Sequence, residues 1–176
     1  MHWVIQQGLY STDDQCALIR SLDRCGVLYD VVSVDKRSVK MVPDVNPSGL
    51  VMVCGTYSLS RIAVERLWRP GTFLNRNHNH RAWVSAWGSL MLNADALSTF
   101  RIGRNVVASP DVDPAALEFG RAAVAAWQPA RGFALDVALT AGGYRIVEVN
   151  CLNMSRFYGA DIQRIVAAIE TMVFDA

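Results

Sequence analysis

The sequence predicts an α/β protein, with a small parallel sheet in its N-terminal half and a further lobe after it. Three observations carry this. The first half runs strand, helix, strand, loop, strand, helix, the order of a small open parallel sheet. Leu50-Val-Met-Val-Cys54 is a continuous apolar run, as expected of a strand buried on both faces. Residues 134–150 read as two alternating strands joined by a glycine turn. With 176 residues, 52% hydrophobic and 19% charged, the chain has the apolar content for a sizeable core and excludes wholesale disorder.

Each element has a local reason. Trp3–Gln6 is a short strand. Ser11-Thr-Asp-Asp offers an N-cap and an acidic first turn, Cys16, Leu18, Ile19 and Leu22 follow at helical spacing, and Gly26 is the stop. Leu28–Val34 alternates as a strand, and Pro43, Pro47 and Gly49 mark a loop. After the Leu50–Cys54 strand, Gly55-Thr-Tyr-Ser58 leads into a helix through about Leu67. Trp68-Arg-Pro-Gly71 reads as a turn. Asn75–His80 is polar, Arg81–Trp87 helical, and Phe100–Val107 forms strands around Gly103. Asp113-Pro114 starts a helix over Ala115–Trp127. The last helix spans about Gly159 to Val173, with Ile162, Ile165, Val166, Ile169 and Val173 as its apolar face.

Bulk properties exclude several functions. The net charge of +1 gives no attraction to nucleic acid or to a membrane surface. No run approaches the roughly 20 apolar residues of a membrane span. The first residues lack a charged segment followed by a long apolar one, so no signal peptide is expected. Cys16, Cys25, Cys54 and Cys151 form no CxxC pair, which predicts reduced, buried thiols and a cytoplasmic location. His78-Asn-His80 lacks a third soft ligand and reads as surface loop. Trp83 and Trp87 share a helix face of core type. No histidine is placed beside Cys151 for nucleophilic catalysis, and no nucleophile elbow, Walker loop or GxGxxG occurs.

The residues with most chemical content are Asp136, Glu148 and Asn150. Glu148 and Asn150 are two apart and share a strand face, and Asp136 lies on the partner strand. Two carboxylates and a carboxamide are oxygen ligands suited to a hard cation such as Mg²⁺. Acids on a solvated hairpin face, with Arg145 in an ordinary cross-strand salt bridge, remain an equal reading. Gly55–Ser58 places backbone N–H groups at a helix N-terminus beyond the sheet, where they suit an anion, as many strand-to-helix turns do. Arg101 and Arg104 flank Gly103, either to contact phosphate or as solvated arginines of a turn.

Phe133-Ala-Leu-Asp-Val-Ala-Leu-Thr, Tyr144-Arg-Ile-Val-Glu-Val-Asn150 and Phe157-Tyr-Gly-Ala-Asp161 before a terminal helix together resemble the end of an ATP-grasp domain. The match is to a bacterial and phage clade named for an arginine and two lysines. Trp3-Val-Ile-Gln, Gly55-Thr-Tyr-Ser-Leu, Trp68-Arg-Pro-Gly-Thr-Phe-Leu-Asn75, Met91-Leu-Asn-Ala-Asp95 and residues 107–114 resemble the same clade. The resemblance implies a pre-ATP-grasp-like α/β domain over residues 1–92 and a truncated ATP-grasp-like lobe over 93–176. It also implies ATP and Mg²⁺ as cofactors, and the ligation of a carboxylate to an amine or thiol through an acyl phosphate. Asp136, Glu148 and Asn150 would take the metal–phosphate end; if the chain is such an enzyme, Arg101, Arg104 or Arg156 is expected to aid the phosphates.

Two departures stand beside the resemblance. The chain passes from Leu92-Asn-Ala-Asp95 almost directly to Phe100–Arg104, so that, set against the family, much of the ATP-covering lobe is expected to be missing, and no lysine follows Lys40. Arg156 stands where the clade tends to have a loop glycine, which crowds a close ligand approach. Two functions follow as expectations. One is an ATP- and Mg²⁺-dependent ligase-like enzyme. The other is a shortened, non-catalytic, phage-derived module that binds a protein partner, with a homo-oligomer as a further possibility.

Overall fold

A computed structural model describes residues 1–35, 37–71, 113–126, 132–153, 157 and 160–172, with Asn150 and Cys151 described by their backbone alone. The chain divides into two compact units. The first comprises Met1–Phe73, Asn153–Phe157 and Asp161–Ala176, and the second Leu74–Leu152 and Tyr158–Ala160.

The first unit begins with His2–Gln6 (β1), Thr12–Arg24 (α1), Leu28–Asp35 (β2), Lys40–Val42 (β3), Leu50–Cys54 (β4), Tyr57–Glu65 (α2) and Arg69–Gly71 (β5). These strands form one sheet in the order β3-β2-β1-β4-β5. β1 pairs in parallel with β2 on one side and with β4 on the other, and β4 pairs in parallel with β5. β3 is antiparallel to β2, so the sheet is mixed at one edge. Two segments read as loop and turn are thus strands. Lys40–Val42 folds back beside β2. Arg69-Pro70-Gly71 is an edge strand, a position where the missing proline N–H costs no central ladder bond.

The helix signals operate as expected. Ser11 caps α1 by accepting the Asp14 N–H at 3.2 Å, and Asp13 and Asp14 sit at the positive end of the helix dipole. At the other end Gly26 takes φ 65°, its N–H donates to Asp23 O at 3.1 Å, and the Val27 N–H donates to Leu22 O at 3.0 Å. That Schellman closure is inexpensive only with glycine at the left-handed position. The helix buries Leu18, Ser21 and Leu22, whereas Cys16 and Cys25 are exposed and only Cys54 is a buried free thiol among the described residues. The expectation of uniformly buried cysteines is therefore corrected. Cys16 falls off the face defined by Leu18 and Leu22, and Cys25 is the helix cap.

The sheet is covered on both faces. Val4, Val32, Val51 and Val53 pack with Leu59, Ile62 and Ala63 of α2 and with Met41 and Trp68. The alternate residues Trp3, Ile5 and Met52 are fully buried on the other face. There α1 packs with the C-terminal helix Ile162–Glu170 (α4), capped by Asp161. The Trp3 indole donates to Glu170 at 2.7 Å, joining the first strand to the last helix. Each such fully buried large side chain contributes roughly 1.5–3 kcal/mol. Arg66, just after α2, donates to the Val45 carbonyl and to Asp44 and lies over the Trp68 ring, holding down the proline-rich loop.

The described part of the second unit comprises Pro114–Ala126 (α3), Phe133–Thr140 (β6) and Gly143–Cys151 (β7). β6 and β7 form an antiparallel hairpin. Asp113 precedes Pro114 at the helix start, where proline lacks only an N–H that has no helical acceptor. Ala123, Ile146 and Val149 form its core with Phe119, Phe133 and Leu135. Ile146 and Val149 share the core face although they are three apart. A bulge beside Asp136/Val137 shifts the register and returns Ile146 to that side.

Candidate functional site

The hairpin register decides how the acids stand. Asp136 is directly opposite Glu148, and Ala134 is directly opposite Asn150. Opposite residues of an antiparallel pair share a face, and so do residues two apart on one strand. Positions 136, 148 and 150 therefore fall on one face of the hairpin. The other face carries Leu135 and Val149 and packs on α3. Asp136 and Glu148 are half-buried, and each already makes a polar interaction. Arg145 does not neutralise them: its guanidinium donates to the Tyr144 carbonyl at 2.7 Å, back toward the turn. Among the described residues no ion pair joins it to either acid.

The set can hold a cation by oxygen only. Among the described residues no three His, Cys, Asp or Glu side chains gather as a metal group, and the carboxylates of the set are those of Asp136 and Glu148. With a carboxamide they match the donors of a hard divalent ion. Arg101, Arg104 and Arg156 lie outside the described residues, as do the proposed helix at 81–87, the strands at 100–107, His78 and His80, and Trp83 and Trp87.

Gly55–Ser58 lies where expected, at the carboxyl end of β4 and the start of α2. Its N–H groups are partly committed within the protein. The Gly55 N–H donates to the Asn153 carbonyl at 3.1 Å, and the Gln6 side-chain oxygen accepts both the N–H and the hydroxyl of Thr56 at 2.9 Å. Gly55 is needed here because a Cβ would stand 2.9 Å from Leu59 Cβ. Gln6 and Asn153 are two residues that sequence reasoning passed over. Both are buried, and the Asn153 carboxamide donates to the Val53 carbonyl. The signal for Gln6 was a polar residue closing an apolar strand. Asn153 lay in a loop with no such contrast.

Residues 80–169, just over half of the chain, match the family model of the ATP-grasp domain, family 3 of the clade named for an arginine and two lysines. The chain belongs to that ATP-grasp family. No curated protein and no solved structure matches it. The ATP-grasp match contains α3, the whole β6–β7 hairpin and most of α4, so Asp136, Glu148 and Asn150 all fall inside it. The mixed α/β architecture agrees with an ATP-grasp fold. Among the described residues no helix is long and apolar enough to cross a membrane.

Proposed function

We propose that this chain is a shortened ATP-grasp protein that binds a magnesium nucleotide on the acidic face of the β6–β7 hairpin. Asp136, Glu148 and Asn150 are its metal ligands, and its chemistry is of the carboxylate–amine ligase type, carried out in the cytoplasm. The observation that supports this is the register: Asp136 opposite Glu148, within the stretch that belongs to the family. A cation held between directly opposed carboxylates relieves their mutual repulsion. A bound Mg²⁺ would supply charge neutralisation between nucleotide phosphates during phosphoryl transfer. The chain's own contribution is to present two carboxylates from adjacent, hydrogen-bonded strands, which limits the rearrangement that binding requires. Arg101, Arg104 and Arg156 are assigned to the phosphates, where a guanidinium offers a bidentate fork in place of a lysine's point charge.

Thermal melting with and without Mg-ATP tests the assignment. Ligand at about 100 times its dissociation constant stabilises the folded state by about 2.7 kcal/mol. The midpoint should rise, and Asp136→Asn with Glu148→Gln should abolish the rise. No shift at millimolar Mg-ATP overturns nucleotide binding by the isolated chain, and a shift that survives the double substitution overturns the metal assignment.

A second reading is favoured by one observation: residues 80–169 contain no lysine, in a clade named for two. On that reading the chain is a non-catalytic module that binds another protein, as a phage-borne inhibitor of a host system would. Pull-down from host lysate with this chain as bait is the measurement, and a lone monomer with no recovered partner counts against it.

A further inference from the structure

We draw no further inference here: the strongest candidate, the loop cluster at the carboxyl ends of β1 and β4 beside the α2 N-terminus, carries nothing because its described polar groups (Gln6, Thr56, Gly55 and Asn153) are hydrogen-bonded to one another and no second observation points to a ligand there.

Discussion

At the end of α2 the backbone turns through Leu67 at φ 57°. The Leu67 N–H donates to Val64 O at 3.1 Å and the Trp68 N–H to Ala63 O at 2.9 Å. This is the closure that Gly26 makes after α1, here with a leucine in the left-handed position and its side chain 79% exposed. The leucine bears the steric cost and regains little burial. Leu67→Gly should therefore stabilise the protein by about 1 kcal/mol. A chemical denaturation midpoint that stays put or falls refutes this. Gly55 gives the opposite case. Gly55→Ala drives a methyl against Leu59 in a closed corner and should destabilise by about 1–3 kcal/mol, read as a lower melting midpoint. The shared strand face of positions 148 and 150 was legible at this scale because a spacing of two is visible along a strand. Gln6 was not, because its hydrogen-bond partner Thr56 lies fifty residues away.

Among the elements, α3 and the hairpin are joined by a polar contact through Asp113. Asp113 caps α3 by accepting the Ala115 N–H at 2.9 Å, and its other oxygen accepts the Tyr144 hydroxyl. The Tyr144 bond, then the Ala115 N–H, hold the Asp113 carboxyl below its ordinary range, and the same bond pushes the Tyr144 phenol up. The signs follow. A carboxyl depressed in the folded state adds stability that is present above its unfolded value of about 4 and is lost as pH falls through the folded value. A phenol raised in the folded state adds stability that is present below about pH 10 and is lost as pH rises through its folded value. Tyr144→Phe should flatten the loss of melting temperature on acidification below about pH 4. An unchanged acid limb would show that the contact does not operate in solution. The helix itself was readable from Asp113-Pro114, but its tie to Tyr144 was not, since residues 31 apart share no local pattern.

At the scale of the molecule the C-terminal helix is part of the first unit. α4 packs with α1, and its Glu170 holds the Trp3 indole. Ile169 of the same helix is 2% exposed. Ile169→Ala should cost about 2–5 kcal/mol and lower the cooperative unfolding of the N-terminal sheet. Fluorescence of Trp3, read against that of the other tryptophans by substitution to Phe, reports this. If Ile169→Ala leaves the Trp3 transition unmoved, α4 is not part of the sheet's cooperative unit. The amphipathic stripe of α4 was plain in the sequence, since Ile162, Val166 and Ile169 recur at helical spacing and all three are buried. Which surface that stripe covers was not.

The sequence by itself determined the α/β class, the caps at Ser11 and Gly26, the strand at Leu50–Cys54, the hairpin around its glycine turn and the shared strand face of positions 148 and 150. These depend on forces that act within a few residues: steric limits on φ, side-chain period and nearby hydrogen bonds. Only the tertiary structure decided that Arg69–Gly71 is a strand, that Ile146 joins Val149 on the core face, that Asp136 stands directly opposite Glu148, and that α4 returns to β1. Each of these turns on a partner distant in the chain. A proline-glycine segment becomes a strand only beside an edge that accepts it. A one-residue bulge changes which side chains face the core, and an apolar stripe finds its surface by long-range packing that no local pattern encodes.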